Sequence, residues 1–153
     1  MNEFQPKEYL GYLMAHAMKA VSGRLLEKFK NIGYPITRHQ WLIMAKTFHF
    51  EDEKLLQGDI VDMMLGDKTQ VTRAVDDLVK KRWIIQEIDK DDRRNRVLKI
   101  TDKGKKIVPK LMVCVKQTTE ETTNNISKDD MATAKKVLAQ IIENSQELNQ
   151  NES

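Results

Sequence analysis

Apolar residues recur at Leu10, Leu13, Met14, Ala17, Met18, Val21, Leu25 and Phe29, in steps of three and four. That spacing predicts a helix over about residues 6–31 with one broad apolar stripe. Gly33, Tyr34 and Pro35 interrupt it. Thr37-Arg38-His39-Gln40 has capping-box form, so a second helix follows, burying Trp41, Ile43 or Met44, Ala45 and Phe48. The charged run Glu51-Asp52-Glu53-Lys54 reads as a loop, and a short third helix turns Ile60, Met63 and Met64 inward. Leu65-Gly66-Asp67 is a tight break, with Asp67 placed to cap the next helix. From Lys68 the set Val71, Ala74, Val75, Leu78 and Val79 marks a fourth helix.

After Arg82 the period changes. Residues 83–88 and 96–101 are β-prone and flank the polar run Asp89-Lys90-Asp91-Asp92-Arg93-Arg94-Asn95, which predicts a hairpin with a protruding tip. Thr101 or Asp102 caps a long fifth helix carrying Ile107, Val108, Leu111, Met112 and Val115, whose second half, 117–125, is polar. Ser127-Lys128-Asp129-Asp130 restarts a sixth, with Met131, Ala134, Val137, Leu138, Ile141, Ile142 and Leu148 on one face. The expected fold is mainly α with a small β-hairpin wing.

At 153 residues, with 40% hydrophobic and 32% charged, the chain suits one domain with a real core. Six glycines, three prolines and 6% aromatics argue against a turn-rich sandwich or barrel. No apolar run approaches the roughly 18 residues of a membrane helix, and Met1–Lys7 is polar, unlike a signal peptide. A cytoplasmic protein is expected.

The net charge of +3 hides an asymmetry: residues 1–66 are neutral, 67–106 carry +5 and 107–153 carry −2. A basic middle fits a region that faces phosphates, and equally a basic solvated surface. The order of elements separates the two. Two short helices joined by a tight turn and followed by a hairpin form a winged helix-turn-helix, whose second helix enters the major groove by its N-terminal end. Here that end carries Lys68, Thr69, Gln70, Thr72 and Arg73. Arg pairs bidentately with guanine and Gln with adenine. Gln57, at the start of the third helix, joins the expected contact set. Arg93, Arg94 and Arg96 crowd a tip with no apolar reason to hold them, and suit a narrow minor groove. Asp91 and Asp92 lie close enough to pair with some of them.

These stretches resemble the MarR family of bacterial regulators. Ile36-Thr37-Arg38-His39-Gln40-Trp41 is similar to the start of its second helix, and Leu56-Gln57-Gly58-Asp59-Ile60-Val61 to the start of its third. Asp67-Lys68-Thr69-Gln70-Val71-Thr72-Arg73, through Asp76-Asp77-Leu78, resembles its recognition helix. Asp92-Arg93-Arg94 and then Val97-Leu98-Lys99-Ile100-Thr101-Asp102-Lys103-Gly104 resemble its wing and the beginning of the fifth helix. Two positions depart: Arg82 stands where the family usually has Gly, and Leu56 replaces a hydroxyl cap.

The resemblance implies a homodimer. Segments 1–35 and 102–153 would form a helical dimerisation region, and 36–101 a DNA-binding lobe. The long stripes over 10–29 and 131–148 agree, since a monomer would struggle to bury both. It also implies a repressor on a pseudo-palindromic operator, released by a small-molecule effector such as an aromatic or phenolic anion. Met14, His16, Trp41, Met44, Phe48 and Met112 stand at matching pocket positions, though Met and aromatics at helical spacing are also ordinary core. Relatives that sense peroxide use a cysteine in the first helix; Tyr9 and Tyr12 are present, but residues 1–31 hold no cysteine. The lone Cys114 reads as a small hydrophobe, and His16, His39 and His49 share no metal-ligand spacing. No cofactor, metal or catalytic set is expected. The competing class is a winged-helix module that binds protein.

Overall fold

The computed structural model describes residues 9–64 and 67–151, the side chains of 149–151 excepted. Along it run α1 (Leu10–Asn31), α2 (Arg38–His49), α3 (Gln57–Met63), α4 (Lys68–Lys80), β1 (Ile84–Ile88), β2 (Arg96–Ile100), α5 (Asp102–Thr122) and α6 (Lys128–Asn151). The expected first turn of α1 at 6–8 and the break at Leu65-Gly66 lie outside the described residues.

Local chemistry sets most of the boundaries. At α2 the capping box is complete: Gln40 N–H donates to Thr37 Oγ1 at 3.2 Å and Thr37 N–H to Gln40 Oε1 at 3.1 Å. Leu56 has no side-chain oxygen to cap α3, and the half of the box that remains is Asp59 accepting the Leu56 N–H at 2.9 Å. Asp67 accepts the Gln70 N–H at 3.1 Å to start α4, and Ser127 accepts the Asp130 N–H at 3.0 Å to start α6. Thr101 accepts the Gly104 N–H at 3.0 Å, which settles the cap of α5 on the threonine.

The exit of α4 shows how a helix ends without its glycine. Arg82 takes φ 58°, a left-handed value, and Trp83 N–H reaches back to Leu78 O at 3.0 Å. This is the loop that glycine normally closes, here closed by an arginine at a steric cost.

The core of the winged lobe gathers Phe29, Trp41, Ile43, Met44, Ile60, Val71, Val75, Leu78, Ile84, Leu98, Val108 and Leu111. Three expected core residues are not in it. Phe48 is 38% exposed, because the buried face of α2 runs through Gln40, Ile43, Met44 and Thr47. Thr47 tolerates burial by donating to Ile43 O at 2.9 Å. Phe50, beyond the helix end, packs on the core instead. Met63 is 47% exposed, since the inner face of so short a helix goes from Ile60 to Met64. Met112 is half exposed; Ile107, Val108, Leu111 and Cys114 are the buried face of α5.

β1 and β2 pair antiparallel from Ile84↔Ile100 to Ile88↔Arg96. A third edge is added by the loop before α3: Leu98 N–H donates to Leu55 O at 2.9 Å, and Leu56 bridges to Val97. The chain divides between Thr119 and Glu120 into two compact units. Within the second, Val137, Leu138, Ile142 and Leu148 of α6 are all exposed, and the stripe has no buried member. On α1, Leu10, Leu13, Met18 and Val21 are exposed as well, and only Phe29 is buried. No described helix is long and apolar enough to cross a membrane.

Candidate nucleic-acid interface

Burial of Val71, Ala74, Val75 and Leu78 turns one face of α4 into the core and leaves the other to solvent. Lys68, Thr69, Gln70 and Arg73 are exposed there, and Thr72 is half-buried. Among the described residues, neither Lys68 nor Arg73 makes an ion pair. The first-turn N–H groups of α4 add to the positive end, although Asp67 engages that of Gln70.

Two polar links fix how α4 is held. Gln40, 4% exposed, donates from Nε2 to Asp77 Oδ2 at 3.2 Å and so ties α2 to α4. Gln57 donates to Thr72 Oγ1 at 3.4 Å and accepts from Gln86 Nε2 at 2.6 Å, joining α3, α4 and β1. The structure thus brings Gln57 and Thr72 together with each other, while the side chains of Lys68, Thr69, Gln70 and Arg73 have no partner among the described residues.

The wing tip is a set of closed turns. Asp89 N–H donates to Asn95 O at 3.1 Å and Asn95 N–H to Asp92 O at 2.9 Å. Asp92 accepts the Arg94 backbone N–H at 3.0 Å and also its guanidinium, Nε at 3.0 Å and Nη2 at 2.8 Å. That fork holds the Asp92 carboxyl below its ordinary pKa and raises that of Arg94. Arg96 folds back, donating to the carbonyls of Arg93 at 3.1 Å and Asn95 at 3.3 Å. Of the three expected tip arginines, Arg93 alone is unpaired through its side chain among the described residues. Lys90, exposed and also unpaired, is a further cation of the tip that the sequence pattern does not single out. On the shank Lys99 pairs with Glu87 at 2.6 Å.

Asp89 breaks the expectation of a wholly solvated tip: its side chain is only 5% exposed and meets Lys54 Nζ at 2.8 Å. Lys54 also reaches Asp91 at 2.7 Å. Sequence reasoning places Lys54 in a loop and offers no role for it, since its partners lie 35 or more residues away.

The six expected effector-pocket residues do not gather in one place. Trp41 and Met44 are core, Met14 is half-buried, and exposed His16 stacks on Tyr12 at 3.8 Å between ring centroids. Phe48 and Met112 both line an open cleft of about 460 Å³, with Ala45, Lys46, His49 and Val108. Cys114 is buried, and burial pushes its thiol pKa up.

Comparisons agree with this geometry. A mutant MarR from E. coli complexed with operator DNA superposes with a TM-score of 0.79 at 22% identity, over 92% of this chain and 99% of that one. CouR from Rhodococcus jostii, bound to p-coumaroyl-CoA, gives 0.78 at 15% identity over 91% and 95%. YybA, an HTH-type transcriptional regulator of Bacillus subtilis, is 25% identical over 124 residues, 79% of this chain and 81% of its own. The family profile of the transcriptional regulators SarA and Rot matches residues 25–111, from the last turns of α1 to the middle of α5. With more than half its length matched, winged lobe included, the chain belongs to the SarA/Rot family of transcriptional regulators.

Proposed function

We propose that this regulator works as a homodimer on a pseudo-palindromic duplex, with the N-terminal end of α4 in the major groove and the wing tip at the neighbouring minor groove or backbone. Lys68, Thr69, Gln70, Arg73 and, at their margin, Gln57 and Thr72 contact the major-groove side. Arg93, with Arg94 and Arg96, serves the wing. The observation that carries this reading is the pairing pattern: among the described residues the exposed cations of α4 and Arg93 are left without ion-pair partners, while the acidic groups of the tip are already matched. A surface built only to be solvated has no reason for that sorting. That operator DNA is bound by the superposed MarR supports it.

Repression relieved by an effector is the mode we infer, acting in the cytoplasm. The cleft between α2 and α5 offers apolar walls, Phe48, Val108 and Met112, and one cation, Lys46. That chemistry suits an aromatic or phenolic anion, a class to which the p-coumaroyl group named with CouR is related. Of the expected pocket set, Phe48 and Met112 carry this reading, and Met14, His16, Trp41 and Met44 do not reach the cleft lining.

The test is a binding titration on labelled random duplex. Affinity is expected to fall on the order of a thousandfold between about 50 and 200 mM salt, because each neutralised phosphate releases counterions. A flat profile would identify the wing as a protein-binding surface instead.

A further inference from the structure

Lys54 stands outside both DNA-facing elements, yet it is the only side chain of the loop before α3 that pairs with the wing tip among the described residues. Its placement is built in. Backbone pairing of Leu55 and Leu56 with Leu98 and Val97 lays this loop along β2 as an added edge, which carries Lys54 to the base of the tip. There the ammonium sits between two carboxylates, 2.8 Å from Asp89 and 2.7 Å from Asp91. The two are also linked to each other, Asp91 N–H donating to Asp89 Oδ1 at 3.2 Å. Asp89 is enclosed and needs a counter-charge, whereas Asp91 is 84% exposed and has no need of one for solvation. Holding both fixes the first half of the tip, and Asp92 with Arg94 fixes the second.

We infer that Lys54 is a positioning residue of the wing: it clamps Asp89 and Asp91 so that Arg93 projects from an ordered tip, and it cancels carboxylate charge that would otherwise face phosphates. The inference rests on the proposed duplex binding for its functional half. Its structural half stands on the tip alone.

Two measurements separate those halves. Limited trypsin digestion reads order at the tip, since cleavage after Arg93 and Arg94 requires the turn to open. Wild type is expected to be cut slowly there, Lys54→Met several-fold faster, and Lys54→Arg close to wild type. Because Lys54→Met leaves Asp89 buried and unpaired, Lys54→Met with Asp89→Asn is the second variant, with melting curves confirming that each is folded. Duplex titration then reads the consequence. Lys54→Met is expected to weaken binding on the order of tenfold, the scale of removing one arginine from the interface, and to add little to the effect of Arg93→Ala in the double variant. Equal cleavage of the folded variants and wild type would overturn the clamp, whatever the DNA result. Fully additive effects would overturn its action through Arg93. Should wild type bind no duplex, the proposed function falls and the cleavage arm still decides the clamp.

Discussion

At the scale of single residues, the junction between wing and α5 is the least forgiving point of the lobe. Thr101 Oγ1 lies within hydrogen-bond reach of both the Arg82 carbonyl at 2.8 Å and the Trp83 carbonyl at 3.0 Å, which pins the end of β2 to the start of β1. Gly104 sits in the first turn of α5 with its missing side chain aimed at the Trp83 carbonyl and Ile100 Cγ1, far inside normal contact. Backbone cannot yield there without moving the strand pair. Gly104→Ala is therefore expected to destabilise by about 1–3 kcal/mol or more, read by urea unfolding; a neutral result would mean the junction relaxes freely. The sequence pattern places Gly104 in a helix and gives no reason for it, because the obstacle comes from Trp83, on the far side of the hairpin. The exit of α4 shows the opposite case. Loss of the usual glycine at Arg82 is visible in sequence, but only the φ of 58° shows that the chain accepts the strain and does not reroute.

At the scale of elements, the recognition helix and the wing are expected to fail differently. Arg73 is free, exposed and one turn into α4, so Arg73→Ala is expected to cost about 1–3 kcal/mol of binding and to relax base preference. Arg93→Ala is expected to weaken all duplexes alike and to lower the salt slope by roughly one for each phosphate that a subunit no longer neutralises. Titrations on single-base variants of a selected site would check this; a changed base preference in Arg93→Ala alone would reverse the docking. Arg94 offers less than its place in the sequence suggests, since it must first leave the Asp92 fork. Acid tests that fork and the Lys54 clamp. Both Asp89 and Asp92 are held below the ordinary carboxylate pKa, by Lys54 and Arg94 respectively. A depressed pKa contributes order that is complete above the unfolded value of about 3.9 and is lost as pH falls through the lower folded value. The Asp91 and Arg94 amide signals are thus expected to hold from about pH 7 to 5 and to move only below about 4. Movement centred at about pH 3.9 or above would mean that the carboxylates are unpaired in solution. The hairpin, every helix of the lobe and the Asp92–Arg94 pair of the tip are legible from period, caps and spacing; the Lys54 clamp and the Gln40–Asp77 link are not, because Lys54 and Gln40 reach partners 37 residues away.

At the scale of the whole molecule, two apolar surfaces remain to be accounted for. Leu10, Leu13, Met18 and Val21 on α1, and Val137, Leu138, Ile142 and Leu148 on α6, are each 38% to 63% exposed. Fully burying such a side chain stabilises by about 1.5–3 kcal/mol, so covering the exposed part of each contributes roughly half of that. Eight per chain, counted on two chains, contribute roughly 12–24 kcal/mol, which matches or outweighs the approximately 4–15 kcal/mol that association costs in lost freedom. A second copy meets this need by symmetry, since a two-fold axis presents the same stripes to one another. Light scattering is therefore expected to give twice the mass of one chain at micromolar concentration. Ending the chain at Ser127 removes α6 while leaving the core cluster of the lobe intact, as every member lies before it. The shortened chain keeps the exposed α1 stripe but loses that of α6, half of the apolar surface argued to hold the dimer, and aggregated or unfolded material is expected, with circular dichroism and light scattering as the readouts. A soluble, cooperatively melting monomer from that truncation would show that the α1 stripe needs no partner, and the dimer would have to be argued from other surfaces.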